Sequence, residues 1–114
     1  TETANASGAD IFVSIHCNAF NGSAQGTEVE VHPGSSAGRA LGNCIQRQIV
    51  DSLGTADRGL KDRLDLWVIK RTNMPAALVE LAFIDHEGDA ALLRDRQDDF
   101  ARAIARGVTD YAAE

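Results

Sequence analysis

Two isolated polar residues, Glu80 and His16, are of types that carry out chemistry in proteins. Residues 76–83 are apolar at every position except Glu80, which is typical of a strand covered on both faces. An ionised carboxylate in such a strand loses its hydration, which is unfavourable unless a cation or hydrogen-bond donors replace the water. His16 ends the segment 10–16, and an imidazole can bind a metal or transfer a proton. Each residue also has a structural interpretation: an ion-paired glutamate and a hydrogen-bonded histidine.

The segment 10–16 predicts the strand that positions His16. It is rich in β-branched and aromatic residues, and the turn signal Asn21-Gly22 follows it. His16 then lies at the carboxyl end of the strand, which is where ligands bind in open parallel sheets. Consecutive strand residues point to opposite faces, so Cys17 is badly placed to form a Cys–His dyad with its neighbour.

The next segment, 26–32, alternates polar and apolar residues. This alternation predicts a strand with one apolar face directed inward. Glu28, Glu30 and His32 would then face solvent or line a cleft.

Two amphipathic helices are predicted from apolar residues at steps of three and four, over 36–53 and about 98–111. A serine before the first helix can cap its beginning, and Gly54 can close its end. A shorter helix is predicted to begin at Asp85 or His86.

The remaining segments complete the prediction of an α/β fold. Residues 57–63 suggest a charged connection, residues 64–69 a further strand, and residues 72–75 a break before the Glu80 strand. Strands that alternate with long helices predict a mostly parallel or mixed sheet flanked by helices on both faces. The whole chain, 1–114, is expected to form a single domain.

Composition excludes several classes of protein. The chain has 114 residues, of which 44% are hydrophobic and 25% charged, as in globular proteins. A net charge of −6 argues against nucleic-acid binding, which requires clustered Lys and Arg. No apolar run approaches the roughly 20 residues that span a bilayer, so no membrane insertion is expected. Cys17 and Cys44 could form one disulfide, but two buried free thiols are the expectation.

Residues 5–19, Asn-Ala-Ser-Gly-Ala-Asp-Ile-Phe-Val-Ser-Ile-His-Cys-Asn-Ala, closely resemble a segment of the zinc-dependent N-acetylmuramoyl-L-alanine amidases of the amidase-3 type. The resemblance continues in order through residues 26–29, 58–61, 75–84 and 92–93. Its most specific part is the ordered pair Ser-Ile-His-Cys-Asn and Val-Glu-Leu-Ala-Phe. The chain therefore resembles this family over nearly all of its length.

This resemblance implies a hydrolase that cleaves peptidoglycan between the lactyl group of N-acetylmuramic acid and L-alanine of the stem peptide. It also implies that His16 is a ligand of Zn²⁺ and that Glu80 is the catalytic glutamate beside the attacking water. The implied substrate is peptidoglycan or a muropeptide. The implied location is the cell envelope or the exterior, in the periplasm or cell wall, for an autolysin or a phage lysin.

The sequence departs from the family before His16. Family members carry a further zinc histidine, in a His-Gly-Gly-like turn, and a zinc glutamate, both upstream of the part that matches. The chain thus looks like the carboxyl-terminal two-thirds of such a catalytic domain, lacking its first strand and helix. A domain of this kind would expose a sheet edge, so we expect self-association or pairing with an upstream fragment.

Three explanations of the missing ligands stay open. An upstream piece can be absent from this sequence, or the protein can be a truncated, non-catalytic module that binds wall fragments or a protein partner. In the third, His32 and His86 rebuild the site, although solvent-exposed or helix-capping roles explain both.

An unrelated α/β hydrolase with Cys17 or Ser14 as nucleophile is a further alternative. The basic residues Arg58, Lys61 and Arg63 can contact carboxylates of the stem peptide or form a solvated charge run.

Overall fold

The computed structural model describes residues 11–64 and 74–114. Its elements are, in order, β1 (Phe12–Asn18), β2 (Thr27–Val31), α1 (Ser36–Leu53), β3 (Asp57–Asp62), β4 (Ala76–Phe83), α2 (Glu87–Asp95) and α3 (Gln97–Ala112). The predicted α/β fold with a mixed sheet is confirmed. The strand predicted over 64–69 lies outside the described residues except for Leu64, and only residues 74 and 75 of the break predicted over 72–75 are described. The first part of the family-like segment, 5–10, also lies outside them.

The four strands form one sheet in the order β1-β4-β2-β3. β1 runs parallel to β4, and β2 runs parallel to β3, whereas β2 and β4 are antiparallel. β4 therefore has a hydrogen-bonded neighbour on each side. This central position agrees with the burial that its apolar composition predicted. Within the described residues, β1 is an edge strand that pairs with β4 alone.

The segment 57–63 is not a simple connection as predicted, because it contains β3. Its charged composition shows no apolar alternation, which is why the pattern concealed a strand. The strand forms because its backbone pairs with β2. Arg58 also forms an ion pair with Glu28 of β2 at 2.8 Å. Gly59, with φ of 72°, accompanies the register shift in this pair of strands.

The prediction that Glu28 and Glu30 could face solvent is also wrong. They are only 7% and 6% exposed. β2 has strands on both sides, and its carboxylates are paired with Arg58 and Arg63, each at 2.8 Å. The alternating pattern therefore marks a strand buried on both faces, with ion pairs on one of them.

One face of the sheet, here called the first face, carries the main apolar core. Buried side chains of β2, β4, α1 and α3 form it, and α2 joins through partly buried Leu92 and Leu93. The opposite, second face carries a small cluster of Ala76 and Leu78 with Phe12. No described helix contributes to that second cluster, so the helices of the described residues cover the first face.

The helices begin and end close to their predicted bounds. Ser35 caps α1 by accepting a hydrogen bond from the Gly38 amide, and Gly54 ends α1 with φ of 71°. His86 caps α2, and α3 extends one residue beyond the prediction at each end. None of the described helices has the length and apolar content needed to cross a membrane.

The helices α1 and α3 pack closely at Gly107. A Cβ atom at this position would lie 2.6 Å from Cα and 2.9 Å from the backbone nitrogen of Ile45. Backbone atoms cannot rotate away as a side chain can, so the missing side chain of Gly107 sets the distance between the two helices.

We expect Gly107→Ala to lower the free energy of unfolding by about 1–3 kcal/mol, because the two helices must separate. The loss should occur although alanine favours a helix over glycine by about 1 kcal/mol. Gly88→Ala is the matched control, since its Cβ would meet only the ring of His86. Urea denaturation of both variants measures the effect, and an unchanged Gly107→Ala variant would contradict the close packing.

Candidate functional site

The second face of the sheet brings His16 and Glu80 side by side. β1 and β4 are parallel, and His16 is the register partner of Glu80. Neighbouring strands lie about 4.8 Å apart, and the side chains of register partners project from the same face. The two residues singled out from the sequence are therefore immediate neighbours.

Glu28 lies on the other side of Glu80. It is the register partner of Glu80 across the antiparallel β2–β4 pair. His16, Glu80 and Glu28 thus form a row across three strands, here called the polar row. Glu30 lies two residues along β2 from Glu28 and faces the same way.

Glu80 has an incompletely satisfied carboxylate. Its Oε2 atom is buried and has no hydrogen-bond partner within the described part of the chain. Burial, followed by the charge of Glu30, raises the pKa of Glu80, with a smaller contribution from Glu28. The charges of His16 and Arg63 act in the opposite direction. An orphaned acceptor in this electrostatic setting is the kind of group that a cation or a proton satisfies.

The neighbouring carboxylates are better satisfied. Arg58 donates to Glu28, and Arg63 donates to Glu30. Burial nevertheless raises the pKa of Glu30, and the charge of Glu28 adds to that effect, while Arg63 opposes it. The second face therefore keeps an excess of buried acidic groups around Glu80.

His16 is exposed at the end of the polar row. Its Nε2 atom lies 2.8 Å from Oγ of Ser14, which projects from the same face two residues earlier. This contact restricts the imidazole ring. It also places a hydroxyl within the distance that a nucleophile and its general base require.

A divalent cation fits part of this site. Among residues 11–64 and 74–114, no group of three or more His, Cys, Asp or Glu side chains could hold a metal ion. His16 and the unpartnered oxygen of Glu80 nevertheless place an imidazole beside an acidic group, which suits zinc. The described residues fit one side of a metal site, and completing it would require other ligands.

His32 and His86 are engaged in local structure. Nδ1 of His32 accepts a hydrogen bond from the Gly34 amide at 3.1 Å. Nδ1 of His86 accepts one from the Asp89 amide at 3.1 Å, which confirms the predicted capping role. Neither histidine belongs to the polar row.

Sequence reasoning did not single out Asp89, which joins the ends of two strands. This carboxylate is buried, and its Oδ2 accepts hydrogen bonds from the amides of Gly26 and Phe83 at 2.8 and 2.9 Å. It holds the beginning of β2 against the end of β4. Its position within the predicted short helix gave no indication of these two partners.

The sequence predicts no more for Asp85 than a possible helix start. Its Oδ2 accepts hydrogen bonds from the amides of Phe20 and Gly22 at 2.9 and 3.1 Å. Gly22 has φ of 83°, a conformation that glycine adopts readily. Asp85 therefore holds the loop that follows His16 against the end of the Glu80 strand.

The cysteines are both free, but only Cys44 is buried as expected. Burial and a hydrogen bond to Glu114 raise the pKa of Cys44 to about 11. Cys17 is exposed, which corrects the prediction, and partial desolvation of the thiol, followed by the charge of Glu80, raises its pKa. A raised thiol pKa makes the reactive thiolate scarce, so Cys17 is a poor nucleophile.

An apolar cavity lies beside β1 on the first face. It encloses about 290 Å³ and is lined mainly by Ile15, Cys17, Leu81, Leu93, Phe100 and Ile104. Ile15 is 54% exposed, although it belongs to a strand. Within the described residues, the edge of β1 that pairs with no other strand lies next to these apolar side chains.

Comparisons with known proteins agree with the motif match. Residues 1–110 match the Amidase_3 family, described as N-acetylmuramoyl-L-alanine amidase. The N-acetylmuramoyl-L-alanine amidase LytC of Bacillus subtilis is 39% identical over 108 residues, covering 90% of this chain and 22% of that protein. The endolysin of Bacillus phage SPP1 is 41% identical over 118 residues, covering 97% of this chain and 42% of the endolysin.

A solved structure extends the likeness to the fold. The CwlD amidase from Clostridioides difficile, in complex with the GerS lipoprotein, matches with a TM-score of 0.92 and 32% identity. The match covers 98% of this chain and 59% of the CwlD chain. The chain therefore spans less than two-thirds of the length of each of these three proteins.

We expect Glu80→Gln to raise the free energy of unfolding of the metal-free protein at neutral pH. Because the pKa of Glu80 is raised, the folded state binds its proton more tightly than the unfolded chain does. The associated stability is complete below the ordinary carboxyl pKa and is lost as the pH rises through the raised value. The variant should not show this loss.

Urea denaturation in chelator, from acidic to neutral pH, measures this difference. The control is Glu87→Gln in the first turn of α2, which should leave stability unchanged or lower it slightly through the helix dipole. A Glu80→Gln variant that is less stable than the wild type at every pH would contradict an unsatisfied Glu80 carboxylate.

Proposed function

The chain belongs to the N-acetylmuramoyl-L-alanine amidase family Amidase_3, and on that premise we propose that it is a zinc-dependent peptidoglycan amidase. The bond cleaved is the amide between the lactyl group of N-acetylmuramic acid and L-alanine of the stem peptide. The observation that carries the proposal is the adjacent placement of His16 and Glu80, with a carboxylate oxygen of Glu80 left without a partner.

The two residues have different roles in this proposal. His16 binds zinc, and ligands outside the described residues complete the coordination. Zinc, when bound, supplies a Lewis acid that activates water and polarises the amide carbonyl. Glu80 accepts the proton of the attacking water and delivers it to the nitrogen of the leaving amine. The contact with Ser14 orients the imidazole of His16.

The substrate of this proposal is peptidoglycan or a soluble muropeptide. The corresponding place of action is the cell envelope or the exterior, as for an autolysin or a phage lysin. Support comes from relatives that include an amidase and an endolysin.

A serine hydrolase is the second candidate function. The 2.8 Å separation of the Ser14 hydroxyl and His16 Nε2 favours it, because this is the geometry of a nucleophile beside its base. The two functions differ in what they require of the same side chains. A metal-dependent amidase requires Glu80, whereas a serine hydrolase requires Ser14.

We expect Glu80→Gln, made in the full polypeptide that carries this chain, to lower the release of stem peptides from purified peptidoglycan by at least about 100-fold. His16→Ala should lower both the activity and the zinc content, measured by elemental analysis. A chelator should abolish activity, and added zinc should restore it. Ser14→Ala should lower the activity much less than Glu80→Gln does, because Ser14 only orients the imidazole of His16.

Other results would point elsewhere. Loss of activity in Ser14→Ala, together with insensitivity to chelator, would favour the serine hydrolase. Abolition by thiol alkylation alone would favour Cys17. Wall binding without hydrolysis, unaffected by Glu80→Gln and without bound zinc, would favour a non-catalytic module.

We also propose that the outer edge of β1 and the adjoining apolar cavity are covered by an amino-terminal segment of an amidase chain. The support is the unpaired edge of β1 within the described residues, the exposed Ile15 and the 59% coverage of CwlD. An uncovered edge of this kind promotes association with other chains.

Residues 1–114 expressed alone should therefore bind a separately expressed upstream fragment in sedimentation experiments. Ile15→Glu should weaken that binding at least about tenfold by placing a charge in the apolar contact. Ile84→Glu, at an exposed isoleucine elsewhere, is the control. Self-association alone would replace the proposed occupant with a second copy, and a compact, cooperative monomer that binds no fragment would contradict the proposal.

A further inference from the structure

Arg58 has a guanidinium group that is held in place on two sides. Its Nε atom donates to Oε1 of Glu28 at 2.8 Å. Its Cζ atom lies 5.0 Å from the centroid of the Phe83 ring, in the range of a cation–π contact. Glu28 and Phe83 are both buried, so they cannot easily follow a displaced arginine. The orientation of the guanidinium is therefore fixed before any ligand arrives.

Most hydrogen-bond donors of this guanidinium remain available. An arginine has five N–H donors, and Glu28 takes the one on Nε. No further partner of Arg58 occurs within the described part of the chain. The side chain is 36% exposed. Its two terminal nitrogens thus form a preoriented fork, the geometry that recognises a carboxylate through two parallel hydrogen bonds.

This fork lies close to the proposed catalytic residue. Arg58 is paired with Glu28, and Glu28 is the register partner of Glu80 on the second face. The fork is therefore separated from Glu80 by a single carboxylate of the polar row. A substrate whose amide reaches Glu80 can bring a neighbouring group to Arg58.

Three other basic residues lie on or near β3 within the described residues. Arg63 is engaged with Glu30, Lys61 is exposed, and Arg39 pairs with exposed Asp62 on the surface. The charged segment that suggested a solvated run therefore contains an arginine, Arg58, that is held by a buried carboxylate and a buried ring and keeps its terminal donors available within the described residues. That combination is typical of a ligand-binding arginine.

We propose that Arg58 binds a carboxylate in the peptide portion of the substrate and thereby selects stem peptides with a free carboxylate over amidated ones. Glu28 is the positioning residue that orients the guanidinium. The carboxylates of Glu80 and Glu28 repel an anionic group, so the guanidinium also fixes the direction in which the peptide lies. The class of substrate in this assignment rests on the proposed function. The mode of binding rests on the geometry of Arg58.

The test compares soluble muropeptides that carry free peptide carboxylates with the same muropeptides after amidation, using the full polypeptide. The wild type should show a kcat/KM at least about tenfold higher for the free acids, because an amide cannot replace a charge-assisted bidentate pair. Arg58→Gln should abolish this preference, mainly by raising KM for the acids. Arg58→Lys should restore only part of it, since an ammonium lacks the fork.

Control variants separate binding from folding. Arg39→Gln makes the same change at a surface ion pair and should leave the preference unchanged. Arg58→Gln leaves Glu28 buried without its partner, so the double variant Glu28→Gln/Arg58→Gln removes that charge as well and should fold yet lack the preference. Glu28→Gln alone should weaken the preference for the acids, mainly by raising KM for them.

Calorimetry with the Glu80→Gln variant distinguishes this inference from the proposed function. Preferential binding of the acids, lost on adding Arg58→Gln, supports the role of Arg58 even if no muropeptide is hydrolysed. Equal binding of acid and amide by Glu80→Gln, or a preference that survives Arg58→Gln, would overturn it.

Discussion

The parallel pairing of β1 with β4 is the constraint on which the candidate site depends. It makes His16 and Glu80 register partners although 63 residues separate them along the chain. A slip of one residue would turn every side chain of β1 to the other face, removing His16 from Glu80 and burying it in the apolar core. The apolar side chains of the first face therefore determine the geometry of the polar residues on the second face. Packing and chemistry use alternate residues of the same strands.

The second face concentrates buried acidic groups that do not improve packing. Glu28 and Glu30 each have an arginine partner, whereas Glu80 has an oxygen without one in the described residues. A burial of this kind is unfavourable, and an apolar residue of similar size at position 80 would be expected to suit the strand better. A central strand that carries an unfavourable carboxylate between two other polar residues is better explained by chemistry than by stability.

The sequence was most informative where one local pattern determines the structure. Apolar run length predicted β4, and helical periodicity with Gly54 predicted α1 and its end. It was least informative where partners distant in the chain determine the structure. β3 forms through pairing with β2, and Asp89 acquires its role partly from the amide of Gly26, 63 residues away. The alternation in β2 identified the correct face for Glu28 and Glu30, but their burial depends on the strands and arginines around them.

The same distinction applies to the site. The apolar run over residues 76–83 made Glu80 stand out, and the position of His16 at a strand end suggested a ligand site. No local pattern in the sequence placed the two residues together. The motif match led us to expect His16 and Glu80 in one site. The register of β1 with β4 places them side by side, and this observation is separate from the motif because strand pairing depends on the whole sheet. Arg58 illustrates the converse case. Its segment had the composition of a solvated charge run, and only the structure shows its pairing with a buried carboxylate and its contact with a buried ring.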